Sequence, residues 1–303
     1  MDFLKISDVS QQQLAEILLL SSKIKSAHKE RKPTLLLSGM TLLMFFAKNS
    51  TRTRVSFEAA MTQLGGHAIF LSLSDSQGSR GETLYDTGAA AGSMADFLMA
   101  RVNSHSDIEE LAAGCPSPTI NGLSDIEHPC QSLADILTLS EHGKLGKGKK
   151  LAFIGDCKNN VANSLLLACA ISGMDVSLSG PKNHAPISSY MKKAEEFGAS
   201  IDFTTSAAEA AKGADAVYTD TWVSMGSEKD EEKLLDEFSG YTVDSALMAH
   251  AKKDAIFMHC LPAHRGQEVA AEVIDGKQSV VFHQAENRLH AQKGLLAWLS
   301  KEG

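Results

Sequence analysis

Short apolar runs alternate with helix-period segments along the whole chain, and this constrains the fold more than any other feature. Thr41 to Ala47, His67 to Leu73, Phe97 to Ala100 and Thr119-Ile120 read as strands. Between them lie segments with helical spacing. Ser10 and Gln13 form a capping-box signature ahead of Leu14, Ile17, Leu18 and Ile24. Phe57, Ala60, Met61 and Leu64 mark a helix that stops at Gly65-Gly66. Glu82 to Met94, Ile108 to Ala113 and Leu133 to Leu139 complete the helices of this half. The stretch from Glu141 to Lys150 (EHGKLGKGKK) is rich in Gly and Lys, poor in apolar residues and close to the midpoint, so it reads as a boundary. Beyond it the pattern restarts. Strands are expected at Leu151–Ile154, Asp175–Leu178, Ala214–Thr219, Ala255–Met258 and Ser279–Phe282, and helices at Asn160–Ile171, Ser188–Phe197 and Glu286–Trp298. Alternation in both halves predicts an α/β protein with two doubly wound parallel-sheet domains.

Charge and cysteine usage exclude several functions. A formal net charge of −8 speaks against a broad nucleic-acid footprint, though a local basic pocket for an anion is compatible with it. The longest apolar runs, such as Leu42 to Ala47, are far shorter than the ~20 residues needed to cross a bilayer. The N-terminal Met1 to Lys5 has no basic flank leading into an apolar segment, so no signal peptide is expected. Five scattered cysteines form neither a disulfide framework nor a zinc spacing. These features lead to an expectation of a cytoplasmic protein with no membrane or nucleic-acid partner and no metal.

The sharpest local signal is Ser50-Thr51-Arg52-Thr53-Arg54, set between a buried strand and a helix. A helix N-terminus offers unpaired N–H groups and a positive dipole end, and the three hydroxyls and two guanidinium groups add donors matched to phosphate oxygens. A plain helix cap with solvated arginines is the competing reading. Arg101 ends another apolar strand, and His128-Pro129-Cys130-Gln131 forms a third strand-to-helix junction. Each alone has a structural explanation: a surface charge, a hydrogen-bonding histidine, a proline at a helix start. Together they would open on one edge of one sheet, where α/β folds place ligands. Gly155-Asp156 after the Leu151 strand lacks the Gly-x-Gly-x-x-Gly spacing of a dinucleotide site.

These residues carry a resemblance. Ser50 to Arg54 with Val55-Ser56-Phe57-Glu58 is similar to the phosphate-binding motif of the aspartate/ornithine carbamoyltransferase family, and His128-Pro129-Cys130-Gln131 resembles its second motif. The likeness runs on to Glu286-Asn287-Arg288. Asp220 followed by Ser224-Met225-Gly226, together with His259-Cys260-Leu261-Pro262, resembles the ornithine branch; the aspartate branch has a His-Pro-Leu-Pro-Arg type loop at the latter point. A cationic amino acid also calls for a carboxylate such as Asp220. Taken singly, Asp220 could cap a turn and Cys260 could be a small buried hydrophobe.

The resemblance implies a carbamoyl-phosphate-binding domain over residues 1–140, an ornithine-binding domain over 150–283, and a C-terminal helix over 284–303 that packs back on the first, with the active site between domains. It implies acyl transfer without a cofactor, from carbamoyl phosphate to L-ornithine, in a homotrimer or a multiple of trimers. Ser50, Thr51, Arg52, Thr53 and Arg101 would hold phosphate, joined by Gln77 from a neighbouring subunit. Thr53, Arg101 and His128 would face the carbonyl oxygen, and Gln131 and the Leu261 carbonyl the carbamoyl NH₂. Pro129, Cys130 and Arg288 belong to the same pocket by this match. Arg54 joins them, with a helix-face pair to Glu58 as its other option. Asn160, Asp220, Ser224 and Met225 would bind ornithine, and Asp220 with Cys260 would orient its amine; Arg101, His128 and Cys260 are thus the expected catalytic residues. Two departures stand out. Asp86 to Ala91 replaces a more polar, arginine-containing sequence, and Lys48-Asn49 replaces a proline-containing version. The competing functions are a non-catalytic carbamoyl-phosphate sensor, a transferase for putrescine or an acylated ornithine, and a nicotinamide dehydrogenase.

Overall fold

The structure, a computed structural model, describes residues 1–72, 81–223 and 231–302. The chain divides into two compact units, Met1–Leu137 with Glu286–Gly303, and Thr138–Ala285. In sequence the first elements are α1 (Gln11–Lys29), β1 (Thr41–Phe46), α2 (Thr51–Gln63), β2 (His67–Ser72), α3 (Leu84–Gly92), β3 (Phe97–Arg101), α4 (His105–Gly114), β4 (Thr119–Leu123) and α5 (Pro129–Glu141). The sheet order is β2-β1-β3-β4 and every pairing is parallel. β1 has Leu42 to Phe46 all buried, which is why it appears in the sequence as an unbroken apolar run. Leu43 and Phe45 join Leu98, Ala100, Val102, Ile108 and Leu111 in one core cluster. From β1 the chain goes outward to β2 and then returns to β3 on the other side, so the sheet reverses direction between β1 and β3. Ligands of open α/β sheets bind at the carboxyl ends of strands flanking such a reversal.

The capping box at Ser10 forms as the sequence implies: Ser10 Oγ accepts from the Gln13 N–H at 3.2 Å, and Gln13 Oε1 accepts from the Ser10 N–H at 2.9 Å. α3 is shorter than expected because Thr83 caps it, its hydroxyl accepting the Asp86 N–H at 3.0 Å. Its packing against α4 is close. A Cβ on Gly88 would lie 2.2 Å from the Leu111 carbonyl oxygen, and one on Gly114 2.1 Å from that of Tyr85. α3 and α4 therefore meet backbone to backbone, which larger residues at these two positions would prevent.

The second unit carries β5 (Lys150–Ile154), α6 (Asn160–Ile171), β6 (Asp175–Ser179), α7 (Ser188–Glu195), β7 (Ile201–Thr204), α8 (Ala207–Ala211), β8 (Ala216–Thr219), α9 (Glu231–Glu237), α10 (Ser245–Met248), β9 (Ile256–His259) and α11 (Ala271–Ile274). α12 (Val281–Glu302) closes the chain, its residues from Glu286 onward belonging to the first unit. The sheet order is β7-β6-β5-β8-β9, again all parallel, with the reversal between β5 and β8. Each of Val161 to Ile171 in α6 is buried, so this helix has no polar face. The strand expected at Ser279–Phe282 is not present. Only Ser279 bridges Phe257; the Val280 N–H donates to the Phe257 carbonyl at 3.0 Å, and at Val281 the chain enters α12. The β-branched pair Val280-Val281 favours a strand locally, but a single bridge already satisfies the edge of β9 and helix formation takes the rest. Among the described residues no helix is long and apolar enough to cross a membrane.

Candidate functional site

Two polar clusters stand at the strand carboxyl ends, one in each unit. In the first unit the register pairs Phe46 with Arg101, and Arg101 with Leu123, so the segments leaving β1, β3 and β4 start from one edge of the sheet. Ser50 is the N-cap of α2, with extended backbone and its Oγ accepting the Thr53 N–H at 3.3 Å. The capping reading thus holds, and the hydroxyl keeps its own proton for a ligand. Thr51 is exposed, Arg52 half-buried and Thr53 buried.

The buried residues of this cluster interlock. Arg288, from α12, donates from Nη1 to Gln131 Oε1 at 2.6 Å and from Nη2 to Thr53 Oγ1 at 3.2 Å. Gln131 Nε2 donates in turn to Asp135 Oδ1 at 2.8 Å. Because Arg288 occupies its carbonyl, the orientation of the Gln131 amide is settled. Arg101 is only 5% exposed, and its Nε is buried without a hydrogen-bond partner. Burial, then Arg288 and Arg52, push its pKa down to about 10. The same surroundings act on His128: burial first, then Arg288, Arg101 and Arg52, hold its pKa well below 6.5, so the ring is neutral. Three guanidinium groups around a neutral imidazole, with a helix N-terminus beside them, form a cradle for a small dianion.

Two expected members are used differently. Arg54 donates from Nε to Glu58 Oε1 at 2.8 Å and stacks 3.8 Å from the Phe70 ring centroid, so its guanidinium is engaged at the surface. Cys130 is fully buried, its thiol donating to the Asn121 carbonyl at 3.3 Å and pushed up to about 12 by burial. Its side chain serves the core, and Pro129 opens α5 beside it. Gln77 lies outside the described residues.

In the second unit, Ile154 pairs with Thr219 and Thr219 with His259, so the segments after β5, β8 and β9 share an edge. Asp220, 8% exposed, collects three donors there. Cys260 Sγ donates to its Oδ1 at 2.9 Å, the Thr221 N–H donates to the same oxygen at 2.8 Å, and Asn159 Nδ2 donates to Oδ2 at 3.2 Å. Burial raises the pKa of Asp220, against the opposing pull of His259 and of the Cys260 and Thr221 hydrogen bonds. Asn160 is the first residue of α6, half-buried, next to its capping neighbour Asn159. Ser224 and Met225 lie outside the described residues.

Sequence reasoning missed Asn159, His259 and Glu268 in this cluster. Asn159 sits beside an assigned residue, whereas Glu268 lies far along the chain with no spacing to single it out. Ligand atoms of Asp220, His259 and Cys260 lie within 4.8 Å of one another. His259 Nδ1, however, accepts the Leu261 N–H at 2.9 Å, and its Nε2 faces Glu268 at 3.3 Å. His259 Nδ1 is thus engaged within the protein, while its buried Nε2 has no hydrogen-bond partner among the described residues.

Two family models divide the chain between them. Residues 1–141 match the carbamoyl-P binding domain of aspartate/ornithine carbamoyltransferase, and residues 147–299 match its Asp/Orn binding domain. The second match thus runs into the part of α12 that compactness assigns to the first unit. The chain is 48% identical over 302 residues to the ornithine carbamoyltransferase of Carboxydothermus hydrogenoformans, covering 98% of this chain and 97% of that one. Among solved structures, the ornithine carbamoyltransferase from Pyrococcus furiosus superposes with a TM-score of 0.94 at 47% identity, covering 98% of this chain and 96% of that one. The anabolic ornithine carbamoyltransferase from Campylobacter jejuni does so with a TM-score of 0.93 at 42% identity, covering 100% and 99%.

Proposed function

From the premise that the chain belongs to the aspartate/ornithine carbamoyltransferase family, we propose that it transfers the carbamoyl group of carbamoyl phosphate to the δ-amine of L-ornithine, giving L-citrulline and phosphate. The cradle of Arg52, Arg101 and Arg288 around neutral His128 is the observation that carries this reading. A neutral imidazole can donate a hydrogen bond to a carbonyl oxygen without adding a fourth charge to the pocket.

Ser50, Thr51, Arg52, Thr53 and Arg101 take the phosphate. Thr53, Arg101 and His128 face the carbonyl oxygen, where negative charge grows as the amine attacks. Donors placed in advance at such a point are worth about 3–4 kcal/mol each. Arg288 reaches the ligand's surroundings through Gln131 and Thr53, so its first task is to aim their side chains. Gln131 and the Leu261 carbonyl hold the carbamoyl NH₂. In the second unit, Asp220 with Asn160, Ser224 and Met225 binds ornithine, and Cys260 helps Asp220 orient the δ-amine. That amine attacks in its neutral form; a new N–C bond forms as the bond from carbonyl carbon to phosphate oxygen breaks. The departing phosphate accepts the proton. No cofactor enters these steps.

The reaction serves arginine biosynthesis in the cytoplasm, and the assembly is a homotrimer or a multiple of trimers, with Gln77, outside the described residues, contributed to the phosphate site of a neighbouring subunit. Val55 and Ile69 of the first unit, 60% and 45% exposed, supply apolar surface suited to such contact. The test is a citrulline assay comparing kcat/KM for ornithine, putrescine and N-acetylornithine. Ornithine is expected to lead by a wide margin. Carbamoyl phosphate binding with no product from any amine would favour a sensor instead.

A further inference from the structure

The turn from His259 to His264 carries Cys260 and Leu261, and one carboxylate holds it at both ends. Glu268 is wholly buried. Its Oε1 accepts the main-chain N–H of His264 at 2.5 Å and lies 3.3 Å from Nε2 of His259, which is also wholly buried. With His259 Nδ1 taken as acceptor by the Leu261 N–H, its Nε2 lies beside Glu268 within ion-pair distance but without hydrogen-bond geometry. The main chain is fixed at the same point, the His259 N–H donating to Gln284 Oε1 at 2.9 Å. Leu261 meanwhile sits at φ 59°, a left-handed conformation that a leucine keeps only where its surroundings impose it. The chain of control thus runs from Glu268 through His259 to the Leu261 peptide, and from Glu268 through His264 to the far end of the turn. Cys260 is fixed between them, on Asp220.

Resting on the function read above, we propose that Glu268 is a positioning residue, setting the Cys260 thiol on Asp220 and the direction of the Leu261 carbonyl without touching substrate. A buried carboxylate is costly unless its oxygens are matched to donors; here Oε1 takes the His264 N–H and lies beside His259 Nε2, while Oε2 has no hydrogen-bond partner among the described residues. Glu268→Gln keeps Oε1, whereas Glu268→Ala removes it.

Two measurements on the intact protein decide the matter: steady-state citrulline formation, and the rate at which iodoacetamide alkylates Cys260, followed by mass spectrometry. Misplacing a positioned group by about 1 Å costs on the order of 100-fold, so Glu268→Ala should lower kcat by about that factor while KM for carbamoyl phosphate stays within about twofold. Freed from Asp220, the Cys260 thiol should alkylate about tenfold faster. Glu268→Gln should behave like the unaltered protein in both assays. The proposal is overturned by an alanine variant with unaltered kcat and alkylation, or by a glutamine variant as damaged as the alanine one. Should the alanine variant not fold, Glu268→Asp, one methylene too short to hold both contacts, is expected to show the same two changes, and their absence overturns the proposal equally. If the unaltered protein makes no citrulline, the functional reading fails, and Cys260 alkylation still decides the clamp.

Discussion

The two polar clusters use charge in opposite ways. The cradle of the first unit gathers three cations that repel one another, and Arg101 is pushed down to about 10 by burial and its neighbours Arg288 and Arg52. The second unit gathers donors around one buried carboxylate, satisfying Asp220 from Thr221, Cys260 and Asn159. The first cluster sets Arg52, Arg101 and Arg288 close enough for the cations to depress one another. Two histidines differ likewise: burial and then the nearby cations hold His128 below its ordinary value, whereas His184, elsewhere in the second unit, is raised chiefly by its hydrogen bond to Asp156, with Glu237 adding to it.

The largest effect should come from the cationic cluster. Arg101→Ala is expected to lower kcat/KM for carbamoyl phosphate by about 10³-fold. Without ligand, the same variant should melt no lower than the unaltered protein, because a like-charge contact has been relieved. A clear loss of ligand-free stability would show that Arg101 is a structural cation and break the contrast. Asp220→Asn should cost on the order of 10²-fold in kcat/KM for ornithine while carbamoyl phosphate affinity stays within about twofold. Equal damage to both substrates would mean that the division of labour is wrong.

Proton linkage sharpens the contrast further. The folded-state pKa of His184 is raised above 6.5, so its stabilisation is fully present below that value and fades as pH climbs through the folded-state pKa. His184 hydrogen-bonds Asp156 and Glu237 at 3.0 and 2.9 Å. His184→Gln should therefore destabilise most near pH 5.5 and progressively less above neutrality in denaturant titrations. A difference that grows with pH would reverse the assignment. His128 has the opposite sign. With its folded pKa below 6.5, it stabilises above that value and loses the contribution as pH falls. Its ring resonances should stay in the neutral position through pH 6.5 and below; a midpoint near 6.5 would remove the cationic surroundings from the account.

How much of this was legible in the residues depends on how far each contact reaches along the chain. β1 was readable because five consecutive buried apolar residues leave no other interpretation, and α6 because its buried run opens at Asn159-Asn160. Ser50 to Arg54 was readable as a dense local cluster of donors. β7 was missed because it is a four-residue edge strand with no fully buried position, and α8, α10 and α11 are four or five residues long, too short to show a period. Ser279–Phe282 misled because local propensity favoured a strand where the sheet needed only one bridge. The finer anatomy of the site was least visible. Nothing near Arg54 in sequence reveals the Phe70 ring beneath it, and nothing near His259 indicates that Glu268 holds the turn.

The first unit is discontinuous, closed by Glu286–Gly303 after the chain has built the whole of the second. A ribosome therefore delivers Ser50, Arg101 and His128 before the second unit and Arg288 after it, although Thr53 and Gln131 hydrogen-bond to that guanidinium. Nascent chains can form most of the first sheet as it emerges, since domains tend to fold as units from the N-terminus. The Arg288 contacts to Thr53 and Gln131 can therefore form only after the second unit has been synthesised.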